Sequence, residues 1–69
     1  MSKAEDPIAG TLKLSRPAQR ALAAAGIFTF ADLAQWTRTD VAALHGVGPK
    51  SFVALDPAME ARGLDYKTA

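Results

Sequence analysis

Apolar residues in this chain recur at three- and four-residue spacings, the period of helices packed on one face. Ala18, Ala21, Leu22 and Ala25 form one narrow apolar stripe. Ser15-Arg16-Pro17 stands just before it. Proline suits a first helical turn, where the N–H it lacks would have no partner, and Ser15 or Arg16 falls where the cap belongs. Gly26 is the expected stop, because the left-handed backbone that closes a helix suits glycine. Thr29-Phe30-Ala31-Asp32 has the Ser/Thr-x-x-acid form of a capping box, with Ile27 placed to staple onto Leu33 or a neighbour. It predicts a short helix from Phe30 to about Gln35. Thr37-Arg38-Thr39-Asp40 repeats the signal and opens a third helix carrying Val41 and Leu44, with a tight break at Trp36-Thr37.

His45-Gly46-Val47-Gly48-Pro49-Lys50 follows. Two glycines flanking one apolar residue predict a tight hairpin, and Pro49 opens the next helix, on which Phe52, Val53 and Leu55 are expected to point inward. Asp56-Pro57 predicts either a kink or a fresh start with Asp56 as cap, since Pro57 cannot donate to Val53. Met59 and Leu64 extend the apolar face and Gly63 ends it. Residues 1–10 are polar and read as a flexible arm, with order beginning near Leu12 and Leu14, and residues 65–69 read as a polar tail. The expected architecture is all-α: a compact bundle of four to five short helices over residues 11–64, containing a helix-hairpin-helix and no strands.

Composition narrows this picture. The chain has 69 residues, 49% of them hydrophobic, which fits one small domain of marginal stability. It has no cysteine and a single histidine, so neither a disulfide nor a metal site is expected, and no cofactor. No apolar run approaches the roughly 20 residues of a membrane span, and the start lacks the apolar stretch of a secretory signal, so a cytoplasmic, membrane-independent protein is expected. The formal net charge is +1, far from the strongly basic balance of a tight nucleic-acid binder. Local placement then decides whether binding occurs, and modest affinity is the expectation.

The hairpin carries the candidate chemistry. Glycines lack a β-carbon, so the backbone at Gly46 and Gly48 can approach a ligand closely. The first N–H groups of the following helix lack intrahelical partners, and its aligned dipoles favour an anion there. Pro49 removes one donor, while Gly48, Lys50 and Ser51 are expected to keep theirs. Lys50 adds a mobile cation, Ser51 adds a hydroxyl, and Val47 is the pivot pointing into the core. The site expected from these residues is nucleic-acid-binding: Gly46, Val47, Gly48, Lys50 and Ser51, joined by Arg16, Arg20 and Lys13 if the two helix starts lie side by side. Taken singly, these cations read equally well as solvated surface charge.

The string Leu44-His45-Gly46-Val47-Gly48-Pro49-Lys50-Ser51, with Leu55 beyond, closely resembles the helix-hairpin-helix of DNA-repair and recombination proteins. Leu14, Leu22, Gly26-Ile27, Asp32-Leu33, Leu44, Gly48, Lys50-Ser51 and Gly63-Leu64 extend the likeness over nearly all of residues 12–64. Together they resemble the C-terminal domain of the bacterial RNA polymerase α subunit, a compact bundle of four helices plus a nonstandard N-terminal one. The resemblance implies DNA minor-groove and phosphate contacts from the start of the first helix and from the hairpin helix, with Gly48, Lys50 and Ser51 on matching positions. Where that family carries its key arginine this chain has Pro17, and where it carries its key asparagine this chain has Arg20. Positive charge is kept at Arg16 and Arg20, but the specific minor-groove reading does not carry over. A free-standing, monomeric relative is expected rather than the polymerase subunit.

Catalysis is not expected. There is no cysteine nucleophile, no evident His–carboxylate pairing and no phosphate-hydrolase glycine loop, and no small-molecule substrate follows from the residues. His45 is expected to settle the turn through a hydrogen bond. Trp36 is expected to be half-buried over the end of the bundle, and one of Phe28 and Phe30 should be exposed. The function expected is a small non-catalytic module making low-specificity DNA contacts. Its alternative is a protein–protein interaction adaptor using the same bundle.

Overall fold

A computed structural model describes residues 3–68; Met1, Ser2 and Ala69, which belong to the expected arm and tail, lie outside the described residues. After a 3₁₀ turn at Lys3–Glu5 come five helices: α1 (Ile8–Thr11), α2 (Arg16–Ala24), α3 (Phe30–Leu33), α4 (Arg38–Ala42) and α5 (Pro49–Ala61). The all-α bundle is therefore present. Among the described residues the only β-type pairing is an isolated bridge between Pro7 and Thr29, and no helix is long and apolar enough to cross a membrane.

Local chemistry sets the helix boundaries. The Ser15 hydroxyl accepts from the Ala18 N–H at 3.3 Å, and Gly26 ends the turn after α2 with φ +79°. At α3 the capping box is complete. Thr29 Oγ1 accepts from the Asp32 N–H, and Asp32 Oδ2 accepts from the N–H groups of Phe28 and Thr29 at 3.0 and 3.1 Å. Thr37 Oγ1 accepts from the Asp40 N–H to open α4. The longest helix, α5, lies against the core with Ser51, Phe52, Leu55, Ala58 and Met59 buried. Of these, Phe52, Leu55, Ala58 and Met59 share one core with Phe30, Leu33 and Val41 from α3 and α4, Leu22 from α2, and Ile8, Ile27 and Val47.

Four expectations require correction. Helix α5 does not restart at Asp56-Pro57, and runs unbroken through Pro57. Pro57 denies a partner only to the carbonyl of Val53, which stands on the solvent side where water can replace it. Val53 itself is not inward: it is 75% exposed, because the buried stripe of Ser51, Phe52, Leu55, Ala58 and Met59 occupies the opposite face.

The arm is not free. Ile8 is only 2% exposed and joins the core. Its N–H donates to the Phe28 carbonyl at 2.9 Å, and the Phe30 N–H donates to the Asp6 carbonyl. Arg62 secures this segment, with Nη2 on Asp6 Oδ2 at 3.1 Å, Nε on the Lys3 carbonyl and the guanidinium stacked 4.2 Å from the Phe30 ring centroid. The tail is docked as well. Tyr66 donates its hydroxyl hydrogen to Asp56 Oδ1 at 2.9 Å and meets Phe52 edge-on, while the Lys67 N–H reaches the Trp36 carbonyl. Arg38 completes that corner, bonded to Asp56 at 3.0 Å and lying over the Phe52 ring.

Two carboxylates, Asp32 and Asp56, are held in their charged form by the partners that folding gives them. Backbone N–H donation, first from Phe28 and then from Thr29, holds Asp32 below the ordinary value of 3.8. Burial opposes the charge on Asp56, yet the hydrogen bonds from Arg38 and Tyr66 outweigh it and also leave that group lowered. Burial and the Asp56 carboxylate together raise the Tyr66 phenol. Both carboxylates thus contribute stability that is present above 3.8 and lost as pH falls through their lower folded values. Thermal melts from neutral pH downward are expected to show the midpoint falling most steeply below about pH 4. In Asp32→Asn the fall should be shallower, and an identical profile in that variant would contradict the assignment.

Candidate nucleic-acid interface

The hairpin between α4 and α5 is tight because the Val47 N–H returns to the Leu44 carbonyl at 3.1 Å while Gly46 takes φ +106°. Val47 turns into the core, as the pivot reading requires. Gly48 is extended (φ −115°, ψ 178°) and stands at the N-cap of α5 with no side chain capping it, followed by Pro49 in the first turn. One donor assignment changes. The Ser51 N–H is already used, bonded to the Gly48 carbonyl at 2.9 Å, so the amides left open at this helix start are those of Gly48 and Lys50. Ser51 is largely buried, yet it forms part of the groove wall.

The start of α2 lies beside the start of α5. Ser15 and Pro17 from one, and Gly46, Gly48, Pro49, Lys50 and Ser51 from the other, line a single shallow groove. The approach is close enough that a methyl group on Gly46 would sit 2.5 Å from the Pro17 carbonyl oxygen. Two helix starts thus border one opening, and each helix start favours an anion. Ser15 and Pro17 were not expected as groove walls. The helix-start signal placed them at the end of α2, but nothing in it points to what they face.

Of the four cations expected at the site, Lys50 lines the groove directly. Arg16 stands in the first turn of α2, Arg20 follows one turn along, and Lys13 precedes the cap by two residues. All four are exposed. The two ion pairs among the described residues, Arg38–Asp56 and Arg62–Asp6, involve none of them. Acidic residues are also segregated: none occurs in residues 7–31 or 41–55, the segments that build both walls of the groove. The carboxylates of α5, Asp56 and Glu60, lie beyond this segment, and no carboxylate lines the groove.

The remaining expectations divide. Phe28 is 59% exposed while Phe30 is fully buried, and Trp36 is half-buried against the core. His45 is exposed and makes no hydrogen bond from its side chain among the described residues, so it does not settle the turn; the Leu44 carbonyl does that through Val47. No group of three or more His, Asp or Glu that could hold a metal ion occurs among the described residues.

Comparison with protein-family models, with curated proteins and with solved structures finds no match for this chain.

Proposed function

We propose that this protein is a small, non-catalytic DNA-binding module, acting as a cytoplasmic monomer. In this reading it is a relative of the C-terminal domain of the RNA polymerase α subunit. The observation that carries the reading is the groove between the starts of α2 and α5. There, open Gly48 and Lys50 amides, the Lys50 ammonium and a carboxylate-free surround converge on one place. A backbone phosphate seats against the amides of Gly48 and Lys50. Lys50 neutralises it, and Arg16, Arg20 and Lys13 contact neighbouring phosphates. Gly48 favours close approach, because nothing lies within 4 Å of where its β-carbon would be and the space is left to the ligand. Backbone contacts carry no direct sequence information, so selectivity is low. With three to five phosphates engaged, affinity falls steeply with salt, by a log–log slope of roughly −0.9 per contact.

Titrating ¹⁵N-labelled protein with short duplex DNA at low salt tests the reading. Amide shifts should cluster at residues 15–20 and 46–51 and fade as salt rises. No shifts at millimolar DNA, or shifts centred elsewhere, would overturn it.

The exposed Phe28 favours one other reading, a protein-interaction adaptor. Phe28 borders an apolar hollow formed with Ile8, Leu14, Leu22 and Ile27. An adaptor would respond to its partner around Phe28 and would leave the groove amides still.

A further inference from the structure

The two hairpin glycines stand in different surroundings, although the sequence presents them as a matched pair. Gly48 has an ordinary extended backbone and open space where a side chain would go. Gly46 has φ +106°, and its absent β-carbon would fall 2.5 Å from the carbonyl oxygen and 2.9 Å from the carbonyl carbon of Pro17. Those are backbone atoms in the first turn of α2, so they cannot swing aside as a side chain would. The missing side chain at Gly46 is therefore filled by the protein's own chain, which leaves no room there for a ligand.

We infer that Gly46 is a positioning residue: by letting the hairpin close against Pro17, it fixes Arg16 and the start of α2 beside Lys50, so that both cations act on one bound backbone. The inference rests on the DNA-binding reading above. It reassigns Gly46 from a contact residue to the joint between the two halves of the groove. A side chain at Gly46 pushes α2 away while leaving the Gly48 and Lys50 amides where they are. The binding surface then loses the contribution of Arg16 and keeps that of Lys50.

The test compares Gly46→Ala with Gly46→D-Ala, the second made by chemical ligation. The L-residue is strained at positive φ and drives its methyl into Pro17. The D-residue accepts positive φ readily and carries its methyl on the other side of the α-carbon. Binding of a short DNA duplex is measured over a range of salt for each protein, with and without Arg16→Ala. In the native protein and in Gly46→D-Ala, Arg16→Ala should reduce the salt slope by about 0.9. In Gly46→Ala the slope should already be reduced, and adding Arg16→Ala should change nothing further. Where Gly46→Ala fails to fold, Gly46→D-Ala decides alone: a retained Arg16 contribution supports the inference, and its loss overturns it. An Arg16 effect of equal size in the folded L-variant also overturns it. Failure of the native protein to bind DNA at all would instead defeat the functional reading. In that case amide shifts at Arg16 and Ala18 on Gly46→Ala still report whether Gly46 holds the start of α2 in place.

Discussion

Replacing Lys50 with glutamate is expected to weaken binding of duplex DNA by at least about tenfold, because a charge-assisted contact worth roughly 1.5–3 kcal/mol is lost and a repulsive charge takes its place. The same change should leave the fold intact. Lys50 is exposed in the first turn of α5, and a carboxylate there interacts favourably with the helix dipole, by about 0.3–1 kcal/mol. Function and stability are thus expected to move in opposite directions, a combination that general damage to the domain cannot produce. Fluorescence anisotropy at low salt and a thermal melt on the same sample provide both measurements. Undiminished affinity in Lys50→Glu would remove the groove from consideration.

The second large effect concerns the fold. Leu55 is fully buried on α5, inside the hydrophobic core that also holds Phe30, Leu33 and Val41 of α3 and α4. Leu55→Ala removes that contact and leaves a cavity, at a cost of about 2–5 kcal/mol. A domain of this length has a total stability of only about 3–10 kcal/mol, so a large share is lost, and in the weaker part of that range the variant is unfolded at room temperature. Val53→Ala, two residues earlier in the same helix but exposed, should shift stability by no more than about 0.5 kcal/mol. Urea unfolding followed by circular dichroism compares the pair. Similar midpoints for the two variants would contradict the placement of the core.

What was legible in the sequence is what local chemistry decides. Ser15, Thr29 and Thr37 announce their helices because a cap needs only its own next three residues. Gly26 and Gly63 announce helix ends because positive φ is a property of one residue. What was not legible depends on residues distant in the chain. Ile8 is a lone large apolar residue between Pro7 and Ala9-Gly10 and shows no period, yet it is buried by backbone pairing with Phe28 and by the clamp of Arg62, 56 positions beyond Asp6. Tyr66 reads as part of a polar tail until Asp56, Arg38 and Phe52 are seen to receive it. Val53 is exposed although it belongs to an apolar run, because such a run on a helix does not by itself say which of its residues the core will take.

The candidate site divides in the same way. Gly46, Val47, Gly48 and Lys50 follow from a contiguous motif. That Ser15 and Pro17 form the facing wall follows only from how α2 lies against the hairpin. The use of the Ser51 amide by the Gly48 carbonyl is likewise a detail of the turn's closure.

Arg38 and Arg62 have a practical meaning for anyone wishing to shorten this polypeptide. Excising residues 11–64, the span that polarity alone suggests, would delete Ile8 and strip Arg62 of both Asp6 and the Lys3 carbonyl, leaving it only the Ala58 carbonyl and the Phe30 ring. It would also uncover one edge of Phe52 and take from Asp56 its phenolic partner. The smallest autonomous unit includes both flanks, and labels or fusions belong beyond them.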